Sequence, residues 1–322
     1  MTVSVRVPAT SANLGPGFDS LGLALGLYDE VTAVRSKGAT RVTVTGEGAG
    51  ELPSDDQHLL IQAVRAAFAE LDRQPPALAV TCHNRIPQAR GLGSSSATIV
   101  AGLMLARELL RQEQDPAAER LSEDVLLDLA DRLEGHPDNV APCLLGGFTI
   151  AWREGGRARA VRLDPSPVLQ PVVFVPQQRG LTAAARALLP EQVPHADAAH
   201  AAGRAALLVA AMTSSPWLLL AATEDRLHQP YRAAAAPKTA ELVARLRAAG
   251  VAAMVSGAGP SVLALATAEG QLPGDQPGWV RHTLPVDSAG ACAWPGNMGT
   301  YPGGNHRTRR DGPVLPQVGP VV

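Results

Sequence analysis

Residues 87–97 read P-Q-A-R-G-L-G-S-S-S-A and run directly into the apolar helical segment 98–110. Two glycines and three serines ahead of a helix make an anion site, because the N–H groups of a first turn have no internal partner and the macrodipole adds partial positive charge there. Gly91 and Gly93 let the backbone approach a ligand and take left-handed angles, and Ser94, Ser95 and Ser96 offer hydroxyls to a phosphate or its Mg²⁺. No Lys follows the second glycine, so this is not the G-x-x-x-x-G-K-[ST] loop. On these residues alone, a serine-capped helix after a flexible loop is the other reading.

The surroundings favour the anion site. Residues 77–83 read as a strand that reaches Ile86 and Pro87, so the unit is strand, loop and helix. Further on, residues 122–133 carry Leu126, Leu129, Ala130 and Leu133 on one helical face, with Ser122 as N-cap. Asp124, Asp128, Asp131 and Glu134 lie on the other faces; such carboxylates are either a magnesium partner for the loop or a solvated acidic surface. Residues 135–147, G-H-P-D-N-V-A-P-C-L-L-G-G, crowd His136, Asp138 and Asn139 into a proline-broken turn before an apolar stretch. At the start of the chain, a strand over 3–7 ends at Pro8 and feeds A-T-S-A-N-L-G-P-G-F-D, residues 9–19, which carries Asn13 and Asp19. Near the other end, S-G-A-G-P-S, residues 256–261, joins strands 251–255 and 262–266.

The totals bound the class. The 322 residues allow two domains; 46% apolar content with a net charge of −2 describes a soluble globular protein. The only basic run is R-T-R-R at 307–310, which excludes nucleic-acid and membrane partners as primary readings. Three separated cysteines argue against a disulfide framework or a zinc site. The opening M-T-V-S-V-R-V-P lacks an apolar signal segment and no run of 18 apolar residues occurs, so a cytoplasmic protein is expected. Prolines cluster at 163–167, placing a boundary between an N-terminal domain, 1–163, and a C-terminal domain, 164–294, with helices over 195–212, 216–222 and 237–249. Residues 295–322, rich in Gly and Pro without periodicity, read as a disordered tail.

The wording P-A-T-S-A-N-L-G-P-G-F-D, G-L-G-S-S-S-A, G-H-P-D-N-V-A-P and S-G-A-G-P-S resembles the GHMP small-molecule kinase superfamily, in particular its members acting on L-homoserine. The resemblance spans residues 3 to about 291. It implies an α+β fold of two domains: an N-terminal S5-like domain with a left-handed β-α-β unit at the phosphate loop, and a ferredoxin-like C-terminal domain. The site lies in the cleft between them. ATP and Mg²⁺ are the implied cofactors; a homodimer is expected on a separate ground, the apolar surface that a second-domain sheet lacking a covering helix would expose.

By the same resemblance, Pro87, Arg90, Gly91, Leu92, Gly93, Ser94, Ser95, Ser96, Gly257 and Gly259 surround the nucleotide. Ser95 and Ser96 ligate the metal with a carboxylate placed, in the family, eight residues before the histidine; here that is Asp128, with Glu134 as the alternative. Asp19 pairs with the substrate ammonium, Arg186 and Arg232 grip its carboxylate, and Asn13, His136, Asn139 and Thr182 orient it. Asn139, Arg186 and Arg232 are the implied catalytic residues. An amide at Asn139 cannot take the hydroxyl proton, so direct in-line attack on the γ-phosphate is expected. A superfamily member acting on a polyol or mevalonate-like acid, or one that binds without turnover, are the other readings; Arg186, Arg232 and the H-P-D-N turn favour an amino acid. The segment between Thr267 and Trp279 is short by one helix against the family pattern.

Overall fold

The computed structural model describes residues 2–180, 185–267 and 272–295. Its first sheet begins with β1 (Thr2–Ala12) paired antiparallel to β2 (Leu21–Arg35). The sequence places the end of β1 at Pro8, but the strand continues for four more residues. The register shifts between Pro8 and Ala9, and such an irregularity accommodates a residue with no N–H to give. β2 then pairs with β4 (Leu78–Asn84), and β4 with β3 (Arg41–Gly46) in parallel, the crossover between them made by α1 (Leu59–Ala69). β5 (Phe148–Glu154) joins the other end of β2 and pairs with β6 (Arg157–Leu163).

Beneath this sheet lies α2 (Ser94–Gln112), with Ile99, Val100, Leu103 and Leu105 almost fully buried. α3 (Glu123–Glu134) starts at Ser122, whose side chain accepts the N–H of Val125, and ends at Gly135 with φ 92°. Residues 137–145, expected as a broken turn, form a helix, α4 (Pro137–Leu145). Pro137 sits in its first turn, where a missing N–H costs nothing.

The second sheet is antiparallel, in the order β10 (Trp279–Thr283), β7 (Leu169–Pro176), β9 (Val262–Thr267), β8 (Ala252–Val255). Its first, second, third and fourth strands in sequence thus lie fourth–first–third–second in space, the ferredoxin-like arrangement. Both faces of β7 are covered. Val173 and Val175 pack with Leu208 and Met212 of α5 (His195–Thr213), while Val172 and Phe174 pack with Leu242 and Leu246 of α6 (Pro237–Ala248). This two-sided burial explains the unbroken apolar run of the strand. The β9–β10 connection contains no helix among its described residues, as its length suggests.

After β10 the chain returns to the first sheet. Val286 bridges Leu25, and β11 (Cys292–Ala293) pairs with Val5 and Arg6 of β1. The Arg6 guanidinium lies between the rings of Tyr28 and Trp294, at 4.4 and 3.9 Å. Residues 284–294, grouped by sequence with the second domain, therefore complete the first sheet's edge. All but Pro295 of the expected tail lies outside the described residues.

Candidate active site

Gly93, with φ 70°, is the residue ahead of α2, and no side chain caps that helix. Ser94, Ser95 and Ser96 occupy the first turn itself, with Ser94 and Ser95 on the wall of a small pocket, so the serine-capped helix is not what forms here. A β-carbon on Gly93 would stand 2.0 Å from Thr10 Oγ1 and 3.2 Å from Asn139 Oδ1. Only glycine fits.

The loop is held from two sides. Thr10 donates its N–H to the Leu92 carbonyl, and the buried Ser256 hydroxyl donates to the Gly91 carbonyl at 2.6 Å. Gly257 donates its N–H to the Ala12 carbonyl, so segments 9–19, 87–97 and 256–261 meet at one point. Arg90 spends its guanidinium on the carbonyls of Pro176, Gln88 and Gln177, fastening the loop to the end of β7. Leu92 is buried in the core; Pro87 and Gly259 are not on the lining of the small pocket described below, and Gly259 lines a second cavity instead.

The expected metal carboxylate needs correction. Asp128 accepts the N–H of Ala158 and pairs with Arg132 at 3.2 Å, away from the loop. Glu134 instead receives both loop hydroxyls on Oε1, from Ser95 at 2.6 Å and from Ser96 at 3.0 Å. The count of eight fails because only Gly135 and His136 join α3 to α4. Six residues further back along α3, Asp128 is about 9 Å along the axis and on another face.

One pocket of about 70 Å³ is lined by Asn13, Ser95, His136, Asn139, Arg186 and Arg232. Asp19, with φ 56°, forms a two-pronged ion pair with Arg186 across the cleft. That pair raises the Arg186 pKa above its ordinary value. Asn13 holds Asp19 in place: its Oδ1 accepts the Asp19 N–H at 3.0 Å and its Nδ2 donates to the Gly257 carbonyl. Arg232 donates Nε–H to the Ala185 carbonyl, and its Nη groups have no hydrogen-bond partner among the described residues. Burial, then the neighbouring Arg186, lowers its pKa. Asn139 is buried at the start of α4, with Oδ1 accepting from the Thr10 hydroxyl at 2.8 Å. His136 Nδ1 lies 2.6 Å from the buried Asp138 carboxylate. Burial pulls the His136 pKa down, but Asp138 and Glu134 outweigh it and the pKa ends above its usual value. Thr182 lies outside the described residues.

Two residues not singled out from sequence help build the site, Thr10 and Phe18, and Asp138, noted only as part of the turn, holds His136. The Phe18 ring stacks on His228 with centroids 4.0 Å apart and lies 5.3 and 4.9 Å from the guanidinium carbons of Arg186 and Arg232. An aromatic between two glycine-flanked polar residues, G-F-D, is the signal that could have found it.

Residues 58–147 match the family model for the GHMP kinases N terminal domain, and residues 196–272 that for the GHMP kinases C terminal domain. The chain is 54% identical over 298 residues to the homoserine kinases of Streptomyces avermitilis and Streptomyces coelicolor. The match covers 91% of this chain and 96% and 94% of theirs. The crystal structure of homoserine kinase from Cytophaga hutchinsonii superposes with a TM-score of 0.78 at 25% identity, covering 91% of this chain and 97% of that one. Mevalonate diphosphate decarboxylase from Staphylococcus aureus shares the fold, with a TM-score of 0.63 at 15% identity over 91% of this chain and 98% of that one.

Proposed function

This chain belongs to the homoserine kinase family of the GHMP kinases, and from that premise we propose that the pocket beside Arg232 transfers the γ-phosphoryl group of ATP to the hydroxyl of L-homoserine. The activity is that of a homoserine kinase, which phosphorylates homoserine in threonine biosynthesis. The observation that carries the site assignment is a charge pattern. Two guanidiniums, Arg186 and Arg232, line one small pocket with Glu134, Asp138 and the serine loop, and the Asp19 carboxylate pairs with Arg186 at its edge.

In this reading the amino acid separates Asp19 from Arg186. Its ammonium takes Asp19, and its carboxylate takes Arg186 and the free Nη groups of Arg232. The Phe18 ring lies within cation–π distance of both guanidiniums, 5.3 Å from Arg186 and 4.9 Å from Arg232. Asn13 fixes Asp19, while His136 and Thr182 orient the backbone and hydroxyl of the bound amino acid.

The phosphates lie against the first turn of α2, with Gly91 and Gly93 allowing close approach. The oxygens of Ser95, Ser96 and Glu134 converge within hydrogen-bond distance, a hard-oxygen set with one carboxylate that fits Mg²⁺ shared with phosphate. No cluster of three His, Cys, Asp or Glu occurs among the described residues, so no all-protein cage competes with this arrangement. Magnesium held there would neutralise charge on the transferring phosphoryl group.

Asn139 is positioned by Thr10 and orients the attacking hydroxyl through its amide. It holds no basic site for the proton, so attack is in-line and the proton leaves late, to the phosphate or solvent. We place the reaction in the cytoplasm, in keeping with the free cysteines Cys82, Cys143 and Cys292 and with no described helix long and apolar enough to cross a membrane. A homodimer fits the apolar surface beside the short β9–β10 connection, where Trp217 is 75% exposed.

An ADP-release assay over L-homoserine, L-serine, mevalonate and a polyol tests the substrate. We expect kcat/KM for L-homoserine to exceed the others by about 100-fold or more, the discrimination expected of a site built for both charged ends. Equal rates would overturn the assignment, and nucleotide binding without turnover would favour a silent binder.

A further inference from the structure

A second, larger cavity lies beside the pocket just described. It holds about 740 Å³ and is bounded by α6, the short helix Gln229–Arg232, the end of β8 and the glycine turn at 258–260. It shares only Arg232 and Ala258 with the smaller pocket. Its size falls in the range of small-molecule sites.

Two features make it a built chamber. Its walls are braced: Gln229 Oε1 accepts the N–H of Val255 at 2.7 Å, and the buried Thr239 hydroxyl donates to the Pro260 carbonyl at 2.8 Å. Its lining is small and apolar, with Ala233, Ala236, Ala240, Ala244, Val243 and Val255 facing the space. Side chains this short cannot reach across to close it.

The charge around it is uneven. Glu224 is engaged by Arg204, and Asp225 by His228 and three backbone N–H groups. Arg179 is paired with Glu51, Arg226 with Asp197, and Arg247 with the Thr223 hydroxyl and two carbonyls. His200, also on the lining, lies 3.5 Å from Glu224, and the half-buried Arg232, whose Nη groups have no hydrogen-bond partner among the described residues, faces both cavities.

We propose that this chamber is a second, inhibitory site for an amphipathic monocarboxylate, its apolar body against the alanine wall and its carboxylate on Arg232. An occupant there takes the cation that the substrate carboxylate needs, so it weakens the amino-acid substrate without touching the nucleotide loop. This inference rests on the kinase reading for its activity readout and on the proposed role of Arg232 toward the substrate carboxylate for its inhibitory effect.

The test uses 4-phenylbutanoate, with uncharged 4-phenylbutanol and short butanoate as controls. We expect 4-phenylbutanoate at millimolar concentration to raise the KM for L-homoserine at least fivefold with the KM for ATP unchanged, and each control to do far less. Ala240→Leu and Ala244→Phe fill the chamber from successive turns of α6. Both are expected to keep basal kcat and KM and to lose most of the inhibition, and calorimetry is expected to show 4-phenylbutanoate binding to wild type but not to either filled variant. No effect on wild type, or equal inhibition of wild type and filled variants, overturns the proposal; the second result would put the carboxylate in the substrate pocket. Basal turnover, measured without the probe, reports separately on the kinase reading.

Discussion

Asp19 and Arg186, 167 positions apart in the chain, close on each other in a two-pronged ion pair over the substrate pocket. Each is the complement of one end of a zwitterion, and without ligand they satisfy one another. Asp19→Asn removes the anion while keeping the shape. The expected result is a KM for L-homoserine raised about 10- to 100-fold, the worth of a hydrogen bond to a charged group. Initial rates at fixed saturating ATP measure it, and the KM for ATP should stay within about twofold, since Asp19 makes no contact with the serine loop.

Glu134, and not Asp128, receives the two loop hydroxyls. Glu134→Ala should therefore lower kcat by about 100-fold, the scale of losing a charged group that stabilises the transition state. It should also shift the Mg²⁺ concentration giving half-maximal rate upward. Asp128→Ala should leave both within about twofold, because its partners are the Ala158 N–H and Arg132 at the surface. The reverse ranking would restore the assignment by counting.

Much of this site was legible in the sequence. The glycine–serine loop, the Asn13 and Asp19 loop, the H-P-D-N turn and the S-G-A-G-P-S turn each announce polar or backbone groups at the end of a regular element, and the fold brings all four together. What escaped depends on three-dimensional placement. Asp128 and Glu134 sit on one acidic helix, and only the abrupt Gly135 ending of α3 decides which meets the loop. The role of Thr10 lies in a strand that a proline should have ended, continued by a register shift. The return of β11 to β1 rests on two residues, Cys292 and Ala293, too few to carry a strand pattern. Arg90, expected beside the nucleotide, lines the pocket and also fastens the loop, because three carbonyls lie within its reach.

Gly93 is the most crowded point of the loop. Gly93→Ala puts a β-carbon onto the Thr10 hydroxyl and demands a left-handed angle that costs an L-residue about 1–2 kcal/mol. The expected outcome is a Tm lower by about 2–4 °C and a loss of kcat/KM for ATP of about 100-fold or more. Differential scanning calorimetry and initial rates read the two effects. An unchanged KM for ATP would place the phosphates elsewhere.

Asp29, on β2, accepts the N–H groups of Arg85 and Ile86 just ahead of the nucleotide loop. Burial pushes its pKa up to about 6 against those hydrogen bonds. The folded state therefore holds a proton that the unfolded chain has released, and Asp29 favours folding most below its unfolded pKa of 3.8. That contribution, of order 3 kcal/mol, is lost as pH rises through about 6. Asp29→Asn keeps an acceptor and does not titrate. Its Tm relative to wild type should rise between pH 4 and pH 7 and level off above, and a pH-independent difference would contradict the burial argument.

In the proposed site, Arg232 and the Asp19–Arg186 pair recognise the amino acid while the serine loop recognises the nucleotide. The most direct test is steady-state phosphorylation of L-homoserine by Arg232→Ala, with both KM values measured against wild type. The predicted result is a KM for L-homoserine raised about 10- to 100-fold with the KM for ATP unchanged. An unchanged KM for L-homoserine, or a rise confined to ATP, would contradict it.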